Sequence, residues 1–261
     1  MEHDRGYRLC DAGFSYGRAH AGLQALSLHL APGCFYGLLG PNGSGKTTLL
    51  DLLAGHLTPS CGSVLLNGRQ IDHYPPADRA RLLTSVPQSF SLNFDYRVFD
   101  VVLMGRHPHI PRFARPSRDD HTAVEQALDA MEIGRFRDRS VRQLSGGEKQ
   151  RVMIARALAQ DTDYLLLDEV TANLDINHAL AIMKLLARLV RQGRTVIAAM
   201  HDLNIALAFC DQVVVLKDGD LRCYGPTEDI VTPALVADLY EIEAESYRTA
   251  TRTNQISFIY R

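Results

Sequence analysis

The sequence predicts an α/β fold with a largely parallel sheet, interrupted by a helical insertion. Three observations lead there: a strand, glycine loop, helix, strand succession within the first seventy residues; a stretch from 90 to 160 with helix-period apolar residues and no clear strand; and a return to alternating strand and helix after 164.

In chain order, LQALSLHL at 23–30 alternates Leu26, Leu28 and Leu30 with Ser27 and His29, the period-2 pattern of a half-buried strand. CFYGLLG at 34–40 is a continuous apolar run suited to a central strand. A helix is expected from Gly45 through KTTLLDLLAGHL, then a turn at TPSCG and a strand and turn in GSVLLNGRQI. HTAVEQALDAMEI and EKQRVMIARALAQ carry the helical period of the insertion. YLLLD at 164–168 and TVIAAM at 195–200 are strands flanking the helical HALAIMKLLARLVRQ, which Gly193 ends. QVVVLKDGDLRCYG at 212–225 reads as a hairpin turning at Asp218-Gly219, and the tail from 226 is mixed.

Composition narrows the function. With 46% hydrophobic and 22% charged residues among 261, the chain is expected to bury its own core. A formal net charge of −2 provides no basic field for nucleic acid, so no nucleic-acid partner is expected. The five cysteines form no C-x-x-C pair, which fits unpaired thiols in a reducing compartment. Neither an apolar signal segment nor a run of about 18 apolar residues occurs, so membrane association is expected only through a partner.

GPNGSGKT at 40–47 fits G-x-x-x-x-G-K-[ST] between a strand and a helix, the context that makes the pattern a phosphate site. The glycines let backbone N–H groups converge on phosphate oxygens, Lys46 reaches the β and γ phosphates, and Thr47 ligates magnesium. Asp168, ending YLLLD, is the second metal anchor. Glu169 follows and is the candidate base for an attacking water. His201, after TVIAAM, is expected near the γ-phosphate and Glu169, and Gln88 in SVPQSF binds the metal or the water. LSGGEKQ at 144–150 contains an S-x-x-E capping box, Ser145 to Glu148. A cap does not require Gly146 and Gly147 side by side. His107 and His109 form an H-x-H pair without nearby carboxylate or cysteine ligands and are read as surface or turn residues.

In order, GPNGSGKTT, Gln88, LSGGEKQ, YLLLDEVTANLD and His201 resemble the ATP-binding-cassette ATPases over nearly the whole chain. The resemblance implies a P-loop NTPase with a RecA-like core, an antiparallel β subdomain and an inserted α-helical subdomain. Within one cassette of 1–261, it implies core and β subdomain at 1–89 and 161–225, helical subdomain at 90–160 and a C-terminal segment at 226–261. Two cassettes would sandwich two ATP molecules head to tail with Mg2+. On that pattern Gly40, Pro41, Asn42, Gly43, Ser44, Gly45, Lys46, Thr47 and Thr48 bind phosphate, Tyr16 stacks on the base, and Ser145, Gly146, Gly147 and Glu148 reach the second copy's nucleotide. Asp175 matches the D-loop, Gln88 the Q-loop and His201 the switch histidine. Val170 departs from the proline that many importer cassettes have there, which alters loop stiffness and not chemistry.

A chain of this kind resembles the separate ATPase subunit of an importer, peripheral at the cytoplasmic face of the inner membrane and partnered by transmembrane permease subunits and, indirectly, a substrate-binding protein. VVLMGRHPHIPRF resembles the subgroup importing iron chelates, haem or corrinoids. Exporter subunits share the same chemistry, and a soluble cassette acting on DNA or ribosomes is the competing class. Part of the stretch QSFSLNFDYRVF, which holds Phe90, Phe94, Tyr96 and Phe99 close to Gln88, is expected to line the socket for a membrane subunit, with packing inside the insertion as the alternative.

Overall fold

The computed structural model describes residues 5–17, 21–88, 95–171, 174–248 and 254–259. Strands β1 (Tyr7–Ser15) and β2 (Ala21–Leu30) pair antiparallel, then β3 (Phe35–Leu39) leads into α1 (Lys46–Ala54). β4 (Cys61–Leu66) and β5 (Arg69–Gln70) complete an antiparallel sheet of order β2-β1-β4-β5. α2 (Pro76–Leu82) and β6 (Leu83–Val86) follow, and the insertion carries α3 (Val98–Leu103), α4 (Arg118–Ala130) and α5 (Gly146–Gln160). Beyond it lie β7 (Tyr164–Asp168), α6 (Ile176–Arg191), β8 (Thr195–Ala199), α7 (Leu203–Phe209), β9 (Gln212–Lys217) and β10 (Asp220–Pro226). The tail forms α8 (Thr227–Ile230), α9 (Pro233–Tyr240) and a small hairpin of β11 (Ala244–Arg248) and β12 (Asn254–Phe258).

The main sheet has the order β10-β9-β3-β8-β7-β6, with β6, β7, β8, β3 and β9 parallel and β10 antiparallel at one edge. Its central strands read as unbroken apolar runs because both faces are covered. Phe35 and Leu39 face one core together with the insertion, while Tyr36 and Leu38 face the other with α1 and the antiparallel sheet. Leu165 and Leu167 alternate with Tyr164 and Leu166 in the same way.

Register then decides where the chemistry gathers. Leu38 lies opposite Ala199 and Ala199 opposite Asp168, so β3, β8 and β7 end level with one another. The loops that follow them therefore meet on one side, at the carboxyl ends of the strands, where open α/β sheets place their ligands.

Two local readings needed the structure. The helix expected to run to His56 and Leu57 stops at Ala54, because Gly55 adopts φ +67 and returns its N–H to the carbonyls of Asp51 and Leu52. This is the glycine stop that frees a helix end from a Cβ penalty. α2 left no apolar pattern in the sequence because none of its residues is buried.

The insertion is pinned by a buried ion pair. Arg106 Nε donates to Asp120 Oδ1 at 2.9 Å and its Nη1 to the Ala159 carbonyl at 2.9 Å, joining the end of α3 to α4 and α5. Burial works against the Asp120 charge, but hydrogen bonds from Ser117 and the Arg106 guanidinium outweigh it and hold the carboxyl down at about 2. The unfolded carboxyl titrates near about 3.9, so the stabilisation is complete above that pH and is lost as pH falls toward the folded value. Asp120→Ala should cost about 3 kcal/mol at neutral pH by leaving Arg106 unpaired. Thermal melts at pH 7 and across pH 4 to 2 check both: the variant melts lower at neutral pH and loses less on acidification.

Candidate active site

Residues 40–45 connect β3 to α1 and wrap tightly, and Lys46 and Thr47 open the helix. Gly40 has φ +148, and a Cβ there would sit 2.0 Å from the Leu216 carbonyl oxygen on β9, so only glycine admits this approach. Gly45, at φ +101, is the N-cap of α1 and supplies no capping side chain. The first-turn N–H groups of α1 consequently have no side-chain cap, an arrangement suited to an anion. Lys46 is buried, and its Nζ donates to the carbonyls of Gly40 at 2.8 Å and Pro41 at 3.0 Å. Burial pushes its pKa down, while the charges of Glu169 and Asp168 pull the other way. Two of its three protons are thus fixed, and the third is left for a ligand oxygen. Ser44 Oγ is buried without a hydrogen-bond partner.

At the end of β7, Asp168 is buried and its Oδ2 accepts from the Thr47 hydroxyl at 2.8 Å. Burial pushes its carboxyl up, with the Thr47 hydrogen bond opposing. Its other oxygen, Oδ1, is buried and has no partner. A desolvated carboxylate oxygen left open beside a hydroxyl is an oxygen donor set that fits a hard divalent cation.

Glu169 has φ +49, a left-handed conformation that a non-glycine residue rarely holds and that turns its side chain away from that of Asp168. Its Oε2 accepts from Gln88 Nε2 at 2.5 Å and its Oε1 lies 2.5 Å from His201 Nε2. Topology explains this grip. β7 lies between β6 and β8, so the loops after β6 and β8, bearing Gln88 and His201, flank the residue that follows β7.

An open cleft of 490 Å³ runs from Tyr16 across Lys46 and Thr47 to Gln88, Glu169 and His201. Tyr16 is 58% exposed, stands edge-on to Phe14, and its hydroxyl is 3.2 Å from Thr48 Oγ1. It is therefore a cleft wall and not a core residue. Asn42, Gly43, Gly45 and Thr48 also line the cleft. Gly22 lines it too and was missed by the sequence reading; its only signal is a glycine inside a strand, a mark of close backbone approach.

Gly40, Pro41, Ser44 and Asp168 stand behind the cleft's lining, in the loop and strand end that shape it, whereas two further groups of expected residues lie away from it. Ser145 and Glu148 form both halves of a capping box at the start of α5, with Ser145 N donating to Glu148 Oε2 at 2.8 Å and Glu148 N to Ser145 Oγ at 3.3 Å. That backbone bond holds the Glu148 carboxyl below its usual range. A Cβ added to Gly146 would meet nothing within 4 Å, so no packing inside this chain demands a glycine there. Asp175 caps α6, accepting from His178 N at 3.0 Å and lying 2.6 Å from His178 Nδ1.

Around the insertion, Phe90 and Phe94 lie outside the described residues, as do Ala172 and Asn173 of the TANLD run. Phe99 is buried under the Arg137 guanidinium, and Tyr96 packs against the same core, so for these two the internal-packing alternative holds. One ring nitrogen of His109 is 2.8 Å from the Gln160 carbonyl, a structural partner.

A glycine loop between strand and helix, a buried lysine and Glu169 in one cleft, with Asp168 bonded to Thr47 at its edge, define a P-loop nucleotide-binding protein with an α/β core. The family model for ABC transporters matches residues 23–172, more than half of the chain, and the protein belongs to that family. It is 40% identical over 231 residues to the hemin import ATP-binding protein HmuV of Thermobifida fusca, covering 88% of this chain and 80% of the relative. It is 39% identical over 216 residues to the ferric enterobactin transport ATP-binding protein FepC of Escherichia coli, covering 82% and 80%. The cobalamin import ATP-binding protein BtuD of Halobacterium salinarum is 40% identical over 210 residues, 80% of this chain, but the match spans only 52% of that longer protein.

Among solved structures, an inward-facing ABC transporter assigned to the metal-chelate type superposes with a TM-score of 0.84 at 31% identity, covering 98% of both chains. The dimeric bacterial ABC transporter cassette MJ0796 gives 0.77 at 28% identity, covering 85% of this chain and 98% of that one.

Proposed function

We propose that this chain is the ATP-binding and hydrolysing subunit of an importer for a metal chelate, an iron–siderophore, haem or a corrinoid. The observation that carries the hydrolytic reading is Glu169, gripped by Gln88 and His201 beside the phosphate loop. The cargo class is inferred from the relatives' names, hemin, ferric enterobactin and cobalamin import. Among the described residues no helix is long and apolar enough to cross a membrane; passage is assigned to separate permease subunits because the relatives are named as the ATP-binding proteins of import systems. The chain would sit at the cytoplasmic face of the inner membrane, with a substrate-binding protein reached only through the permease. We take 1–89 and 161–225 as core and β subdomain, 90–160 as the helical subdomain and 226–261 as the C-terminal segment.

Each residue then has a task. Tyr16 lies against the base, the Gly40–Thr48 loop and the open end of α1 hold the phosphates, and the remaining N–H of the Lys46 ammonium donates a hydrogen bond to a phosphate oxygen. Thr47, Asp168 and Gln88 would hold Mg2+, which when bound neutralises phosphate charge. Glu169 accepts the proton of the attacking water. Each carboxylate oxygen has about two acceptor sites, so the bonds to Gln88 and His201 orient the group without using up its capacity as a base. His201, released from Glu169, can donate to the γ-phosphate. Ser145, Gly146, Gly147, Glu148 and Asp175, which their own cleft does not use, would complete the site of a second copy in a head-to-tail homodimer.

Pull-down from native membranes should recover a polytopic subunit and a binding protein, and ATPase activity of the reconstituted complex should rise several-fold with one chelate class as cargo. Recovery of ribosomal proteins or nucleic acid would overturn the transport assignment, and stimulation only by a non-chelate solute would overturn the cargo class.

A further inference from the structure

No Asp or Glu occurs from Val101 to Arg118, a stretch that carries Arg106, Arg112, Arg115 and Arg118 in a chain of net charge −2. Arg106 is turned inward to Asp120 and Ala159. The other three are exposed, and among the described residues none of their guanidinium groups is in an ion pair. Between them, Pro111 to Ala114 form a turn closed by Ala114 N donating to the Pro111 carbonyl at 2.9 Å. Phe113 occupies its third position at φ +69, a place that favours glycine. Its ring is 95% exposed, with the Arg112 guanidinium 5.2 Å from the ring centroid.

An aromatic residue in left-handed backbone is a strained choice, and here no internal packing offsets the strain. The loop is not loosely held, however. His109 contacts the Gln160 carbonyl at 2.8 Å, Arg81 Nε donates to the Pro108 carbonyl at 2.8 Å, and the Ser117 capping box fixes the start of α4. The molecule thus presents one bare ring on a braced turn among unpaired cations.

We propose that Pro111–Arg118 contacts an anionic lipid surface directly, Phe113 entering the headgroup layer and Arg112, Arg115 and Arg118 meeting lipid phosphates. A segment of eight residues with one bare ring is far smaller than the roughly 20–30 residues a side that a specific protein partner covers. It does provide what a headgroup layer takes, a single inserted apolar group and phosphate contacts that need no shape match. The inference rests on the importer reading only in that the chain works at a membrane.

Flotation of the full chain with vesicles tests it, comparing phosphatidylcholine alone with phosphatidylcholine plus phosphatidylglycerol. The wild type should float with the anionic vesicles and be released by salt. Substituting all three arginines (Arg112→Gln, Arg115→Gln and Arg118→Gln) should weaken binding about 100-fold, and Phe113→Gly about 10-fold. Glycine suits φ +69, so Phe113→Gly should keep or raise the melting temperature while binding falls, which separates lipid contact from a folding role. ATPase activity of the same samples should stay unchanged, and its absence from the wild type would instead count against the hydrolytic reading. Equal binding to both vesicle types, or variants that bind as well as wild type, would overturn the proposal. So would loss of permease capture in Phe113→Gly without any effect on vesicles, which would make the loop a protein contact.

Discussion

Glu169→Gln should lower ATP hydrolysis by about 10²- to 10⁴-fold, the range lost when a positioned general base is removed, while nucleotide binding survives. Glutamine keeps the length and one acceptor oxygen, so contacts to Gln88 and His201 can persist, and it is no more strained than glutamate at φ +49. What disappears is the capacity to take a proton. Binding depends on the loop around Lys46, which the substitution does not touch. ATP should therefore remain bound and hold two chains together, seen as a dimer by light scattering with ATP and a monomer without it. Near-normal turnover in the variant would remove Glu169 as the base.

Mixing two inactive variants gives the second large effect. Lys46→Ala removes the buried ammonium beside the phosphate site, and Ser145→Arg blocks the surface at the start of α5; each alone should abolish activity. If the site is shared, a hybrid dimer has one site built from the intact Lys46 of one chain and the intact Ser145 of the other. Random pairing then restores up to about one quarter of wild-type activity, because half of the dimers are hybrids with one of two sites intact. The structural basis is that Gly146 faces open space and Ser145 lies outside its own cleft. Absence of rescue with hybrids demonstrated by cross-linking would place each site within a single chain.

Legibility followed how locally each constraint acts. The phosphate loop was readable because one contiguous stretch must supply a tight turn, a lysine and a helix start together, and the structure has all three there. Strands β3, β7 and β8 were readable because burial on both faces demands unbroken apolar runs. α2 was invisible because none of its residues is fully buried and only Leu82 packs partly on the core, and Phe99 was misleading because an aromatic near Gln88 reads the same whether it packs inward or waits for a partner. Phe113 passed unnoticed, since its meaning lies in a backbone angle and an exposure that no residue pattern states.

By itself, then, the sequence determined the chemical parts: a phosphate cradle, two adjacent carboxylates, an amide and an imidazole, and a capped helix start with a surplus of glycine. Tertiary structure alone decided which parts act together. Strand order put β7 between β6 and β8, which brought Gln88 and His201, 81 and 32 residues from Glu169, onto the two oxygens of one carboxylate. It also left Ser145 outside its own cleft. Local sequence specifies the conformation of each loop, but the distance between loops is set by how the sheet is threaded, and that is a property of the whole chain.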